Sequence, residues 1–157
     1  MESAAKIKET LQAAFTEKLP EFIAEYETDP RSGVQKLVAS ARKKLDALEK
    51  EKQRIENLKK YEREYAQYSY ICGIDEVGRG PLAGPVVAGA VILPKDCHIL
   101  YINDSKQLSE KKREELYDVI TREAVAWAVG YASPKRIDEI NILQATYEAM
   151  REAIGKL

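Results

Sequence analysis

Residues 70–93 constrain this chain more than any other stretch. An apolar run over residues 71–74 meets two carboxylates, Asp75 and Glu76, and then a compact turn, Gly78-Arg79-Gly80-Pro81. A second apolar run, residues 86–93, leaves that turn. Short runs rich in Val and Ile and bounded by Gly and Pro read as buried strands. Two carboxylates thus stand at the end of one strand, just before a tight turn into the next. Such a pair costs stability unless something cationic uses it.

The 157 residues suffice for one ordinary domain, or a small domain plus a segment. An apolar content of 45% with 32% charged residues suits a soluble protein with a highly charged exposed part. Residues 1–70 carry 14 basic and 13 acidic side chains, and residues 71–157 carry 11 and 13. Neither half is a polycation, so whole-chain charge neither supports nor excludes nucleic acid. Cys72 and Cys97 have no Cys or His pair at zinc spacing beside them, and His98 is the single histidine. Reduced thiols in a cytosolic protein are the expectation. The first residues lack the apolar core of a signal peptide, and no run approaches the roughly 20 apolar residues of a membrane span. A cytoplasmic location follows as an expectation.

Residues 1–68 read as helical throughout. Ile7, Leu11, Ala14, Phe15 and Leu19 recur at three- and four-residue steps. Pro20 suits the first turn of a second helix bearing Phe22, Ile23 and Tyr26. A long helix is expected over residues 31–66, with apolar spacing that loosens around Lys52. Within residues 42–63, nine basic and five acidic side chains leave a net charge of +4. This is either a solvated face laced with ion pairs or a face that tracks a nucleic-acid backbone. Tyr61, Tyr65, Tyr68 and Tyr70 are expected to pack against the following domain, with base stacking as the alternative.

After Ser69 the pattern becomes strand-like, placing a domain boundary between residues 1–68 and 69–157. Strands are expected over residues 70–76, 86–93 and 125–131. Ser109 caps a helix reaching about residue 124, carrying Leu116, Val119, Ile120 and Val125 inward. Ser133-Pro134 starts further helix that continues, broken, to the end.

Two local readings of the central turn compete with a catalytic one. Gly78-x-Gly80-x-x-Ala83 matches a dinucleotide fingerprint, but Pro81, Pro85 and the following strand remove the helix that fingerprint requires. A salt-bridged turn, with Arg79 paired to Asp75 or Glu76, is the other. The catalytic reading makes Asp75 and Glu76 oxygen ligands for magnesium or manganese, converging only near the strand end because strand neighbours face opposite ways. Glycines beside them allow backbone N–H groups to approach a phosphate or a ribose 2′-hydroxyl, the group that distinguishes RNA from DNA.

Residues 73–88 strongly resemble the opening of ribonuclease HII. Asp104-Ser105-Lys106-Gln107-Leu108-Ser109 resembles that family's Asp-Ser-Lys-x-Leu-Ser segment, and residues 137–142 its Ile-Asp-x-x-Asn-Ile segment. The resemblance covers about residues 70–157, and the charged helical extension is similar to that of some Bacillus-type members. It implies an α/β fold, a ribonuclease H-like mixed sheet flanked by helices with its first three strands present and antiparallel, after an all-α extension. It also implies metal-dependent endonucleolytic hydrolysis of RNA in RNA–DNA hybrids, including single ribonucleotides in duplex DNA. Cutting then falls on the 5′ side of the ribonucleotide and leaves a 3′-hydroxyl. By position, Asp75 and Glu76 are the first two ligands of a two-metal site using Mn²⁺ or Mg²⁺. Gly78, Arg79 and Gly80 read the 2′-hydroxyl and adjacent phosphate, and Ser105 and Lys106 are substrate contacts. Asp104 and Asp138 read as a loop and a helix-cap residue. The partner is hybrid or ribonucleotide-containing duplex, in a DNA-repair setting, with no membrane involved and a monomeric full-length form.

The family's last two carboxylates come from a later strand and helix, and no Asp follows Asp138. Glu139, Glu148 and Glu152 are the later acids, all in helical pattern. A fragment or truncated product is therefore expected, without nuclease activity of its own. The competing class is a non-catalytic nucleic-acid-binding protein.

Overall fold

In this computed structural model residues 2–81 and 83–157 are described; Leu82, inside the glycine-rich turn, lies outside them. The chain divides into two compact units, residues 1–57 and 58–157.

Helical periodicity builds the first unit. Helices α1 (Ala4–Ala13), α2 (Leu19–Tyr26) and α3 (Ser32–Leu58) follow one another, with a 3₁₀ turn at Thr16–Lys18. Ser3 caps α1 by accepting from the Lys6 N–H, and Pro20 sits in the first turn of α2. Ile7, Leu11, Leu19, Phe22, Tyr26, Val34, Val38 and Ala41 form the core. Phe15 is 78% exposed, contrary to expectation, because α1 ends at Ala13 and the helical face is lost before it. The helix expected over residues 31–66 also breaks: α3 stops at Leu58 and a short α4 (Lys60–Glu64) follows. Beyond Ala41 only Ile55 of α3 is buried. Past Ala41 the helix is carried by good helix formers and by pairs such as Arg54–Glu51, until the backbone leaves the helical region at Lys59 (ψ 30°).

Small side chains set the second unit. Strands β1 (Cys72–Val77), β2 (Val86–Ile92) and β3 (Ala126–Ala132) form an antiparallel sheet in the order β1-β2-β3. Helices α5 (Glu110–Glu123), α6 (Pro134–Ile140) and α7 (Ile142–Gly155) complete it. Ala145, Ala149 and Ala153, at four-residue steps on α7, pack on Val86, Ala88, Ala90 and Ala132 of the sheet. The approach is close enough that a Cβ on Gly130 would stand 1.9 Å from the Ala149 carbonyl oxygen. Asn141, at φ 68°, links α6 to α7 and caps α7, accepting from the Leu143 and Gln144 N–H groups at 3.0 and 3.1 Å. Val125, expected inward, is exposed; it lies between α5 and β3, where its N–H donates to the Ile92 carbonyl.

Candidate active site on the first strand and its turn

Asp75 and Glu76 are consecutive residues of β1, so the pleat sends them to opposite faces. Glu76 lies opposite Ala88 on the half-buried side shared with Ile74, which packs against the α7 core. Asp75 lies opposite Gly89 on the exposed side. Asp75 Oδ1 accepts from the Glu76 N–H at 2.9 Å, and Glu76 Oε1 accepts from Arg79 Nη1 at 3.5 Å. The ion pair is long and half-exposed, hence worth little. Both carboxylates stand in the last three residues of β1, directly before the glycine turn. Two hard oxygen donors beside a tight turn suit a divalent cation that takes its other ligands from elsewhere, water and phosphate included. No three His, Cys, Asp or Glu side chains group around one point among the described residues.

The two glycines flanking Arg79 differ. Gly78 has φ +93°, and a Cβ there would stand 2.2 Å from the Pro85 carbonyl oxygen. The turn's own geometry requires that glycine. Around Gly80 no described residue lies within 4 Å of an added Cβ. Its missing side chain leaves open space beside the exposed Arg79.

Ser105 and Lys106 stand exposed on a 3₁₀ turn, Ser105–Gln107. Asp104 caps that turn, its Oδ1 accepting from the Lys106 N–H at 2.9 Å, which is the loop role expected of it. Ser109 caps α5 by accepting from the Lys112 N–H. From the first turn of α5, Arg113 reaches back to this segment; sequence reasoning passed over it. The available signal was a run of bases, Lys111, Lys112 and Arg113, at a helix N-terminus, where the macrodipole disfavours cations.

Asp138 is not a cap. It is exposed inside α6, whose N-cap is Ser133. The three later acids have local partners. Arg136 bonds both oxygens of Glu148 at 2.8 Å and Glu139 at 3.0 Å, and its guanidinium holds the Glu148 carboxyl below its ordinary range. Glu152 is lowered too, first by Lys156 and then by the Tyr131 N–H. Tyr61, Tyr65, Tyr68 and Tyr70 do not pack as expected: they are 43–65% exposed. Tyr65 and Tyr68 meet each other instead, their ring centroids 6.3 Å apart. Cys72 and Cys97 are free thiols, and no described helix is long and apolar enough to cross a membrane.

Comparison with known proteins gives concordant results for both parts of the chain. The family described as "Ribonuclease HII N-terminal domain" matches residues 3–66, and that described as "Ribonuclease HII" matches residues 72–157. A ribonuclease HII of Lachnoclostridium phytofermentans is 64% identical over 132 residues, covering 84% of this chain and 52% of the relative. That of Clostridioides difficile is 48% identical over 157 residues, covering 99% and 62%. The chain thus spans about half to three-fifths of the length of these relatives. A solved ribonuclease H2 from Pyrococcus horikoshii OT3 is 32% identical over 50% of this chain and 41% of that one, with a TM-score of 0.41.

Proposed function

Since the chain belongs to the ribonuclease HII family, we propose that it forms part of a metal-dependent endonuclease acting on RNA in RNA–DNA hybrids, single ribonucleotides in duplex DNA included. Cutting on the 5′ side of the ribonucleotide, leaving a 3′-hydroxyl, belongs to the same proposal. The observation that carries it is the placement of Asp75 and Glu76 in the last three residues of β1, directly before the glycine turn. Asp75 and Glu76 would hold Mg²⁺ or Mn²⁺, and a cation bound there supplies an activated water and neutralises phosphate charge. The protein's own part is positioning. Arg79, exposed and only weakly held by Glu76, is available to a phosphate oxygen. The space beside Gly80 admits a sugar edge, and N–H groups of the turn are suited to a 2′-hydroxyl or phosphate. Ser105 and Lys106 add a hydroxyl and a point charge from a second turn.

A second reading, nucleic-acid binding without cleavage, draws on the exposed tyrosines and the +4 window of residues 42–63. In either case the extension, residues 1–68, adds affinity that falls as salt rises. A nicking assay separates the two readings, using a duplex with one ribonucleotide, Mg²⁺ or Mn²⁺, and a full-length form of the protein. Cleavage lost on Asp75→Asn with the fold intact is the expected result, because that change removes charge from the metal site. Near-wild-type cutting by Asp75→Asn at saturating Mg²⁺ would sink the ligand assignment.

A further inference from the structure

We propose that Arg113 is a positioning residue that holds the Ser105–Lys106 turn in its substrate-binding shape; this rests on the reading above that Ser105 and Lys106 contact nucleic acid. Arg113 Nη1 donates to the Leu108 carbonyl at 2.7 Å and to the Ser105 carbonyl at 3.3 Å. Those two oxygens belong to the first residue of the 3₁₀ turn and to its C-cap, so one guanidinium nitrogen bridges it. The turn's own bonds are all short-range, the Asp104 Oδ1 cap on the Lys106 N–H at 2.9 Å among them. Gln107 N–H donates to the Asp104 carbonyl at 2.9 Å, and Leu108 N–H to the Ser105 carbonyl at 3.3 Å. Asn103 adds two more, accepting from the Asp104 N–H and donating to Gln107 Oε1, both at 3.0 Å. A single exposed 3₁₀ turn with bonds of this kind opens easily.

Arg113 is anchored where the turn is not. Its N–H donates to the Ser109 carbonyl at 2.9 Å in the first turn of a 14-residue helix. A cation at a helix N-terminus gains nothing from the macrodipole, so helix stability does not account for it there. Both bonds leave the single nitrogen Nη1, whose two N–H groups are fixed in the guanidinium plane, whereas the donors of an ammonium rotate. Fixing the turn before binding removes ordering entropy from the binding step. Arg113 therefore acts through Ser105 and Lys106, on affinity rather than on chemistry.

Two measurements on the 157-residue chain test this, with Arg113→Ala, Arg113→Lys and Lys106→Ala. In amide hydrogen exchange, Arg113→Ala accelerates Lys106, Gln107 and Leu108 by about tenfold while β2 and α7 keep their protection, and Arg113→Lys lies between. In fluorescence anisotropy with a labelled duplex carrying one ribonucleotide, Arg113→Ala weakens binding by roughly tenfold. Arg113→Lys restores part of it, and the salt slope stays that of the wild type. A slope reduced by about one means that Arg113 touches a phosphate itself, and overturns the positioning role. Unchanged exchange at the turn, or faster exchange with unchanged affinity, overturns it as well. If Lys106→Ala weakens binding and Arg113→Ala does not, the positioning role fails and the contact reading stands. If Lys106→Ala binds like the wild type, the contact reading of Lys106 fails.

Discussion

Gly78 faces Pro85 across the turn that follows β1, with room for a hydrogen and nothing larger: a Cβ there would stand 2.2 Å from the Pro85 carbonyl oxygen. Two residues on, an added Cβ on Gly80 would meet no described residue within 4 Å. One motif therefore holds a glycine that the fold needs and a glycine that it does not.

This difference predicts opposite outcomes for two similar substitutions. Gly78→Ala meets both the backbone clash and a positive φ, and should cost about 1–3 kcal/mol. Gly80→Ala should leave the melting temperature nearly unchanged. Under the proposed function it still adds a methyl where the sugar edge would lie, so discrimination between ribonucleotide and deoxyribonucleotide sites should fall. Thermal melts and paired cleavage or binding assays read both effects. A large stability loss with intact discrimination for Gly80→Ala would make that glycine structural.

Gly130 on β3 presents the same constraint within the core. A Cβ would stand 1.9 Å from the Ala149 carbonyl oxygen and 2.7 Å from the Ala153 nitrogen, both backbone atoms of α7. Neither can move without shifting the helix off Val86 and Ala132, since interiors are close-packed. Gly130→Ala should cost about 1–3 kcal/mol or more through overpacking. Urea unfolding followed by Trp127 fluorescence measures it. An unchanged midpoint would mean that α7 does not sit this close.

The three strands are legible in the sequence because Val- and Ala-rich runs stand between Gly and Pro, and the caps Ser109 and Ser133 because their side chains accept from backbone N–H groups three residues on. The Gly130–Ala149 contact leaves no local pattern. A lone glycine in a strand marks some close approach without naming the partner. The tyrosines at 61–70 look like core material by residue type, yet their exposure is decided by which surfaces lie nearby. In the site, Asp75, Glu76 and the turn are contiguous and stand out. Arg113 does not, because its role depends on a helix folding back over the turn that precedes it.

Acid should loosen the outer side of the second unit. The Glu148 and Glu152 carboxyls are held below their ordinary value of 4.5, by Arg136 and by Lys156 with the Tyr131 N–H. Lowered carboxyl values add stability that is present above the unfolded value and lost as pH falls through the folded one. Both groups are partly exposed, so screening keeps the effect modest. Urea midpoints should therefore fall below pH 4.5, and Glu148→Gln with Glu152→Gln should flatten that slope. A slope equal to the wild type's would assign the acid sensitivity elsewhere.

The two outer strands treat their edges differently, and this predicts how the 157-residue chain associates. On β3 the Tyr131 N–H donates to Glu152 Oε2 at 2.8 Å, and the Val129 carbonyl accepts from Lys156 Nζ at 2.9 Å. Glu152 and Lys156 also bond each other at 2.6 Å, so α7 side chains occupy that edge. β1 carries no such cover from a described strand, and it ends in Val77, 69% exposed. An unpaired edge with apolar side chains is a template for pairing with another chain. The 157-residue chain should therefore self-associate through β1, with light scattering rising steeply with concentration. Val77→Lys should suppress this, since a charge on an edge strand opposes pairing. Glu152→Ala with Lys156→Met should increase it by freeing the second edge. A monodisperse monomer at high concentration, unaffected by either change, would show that the β1 edge does not drive association.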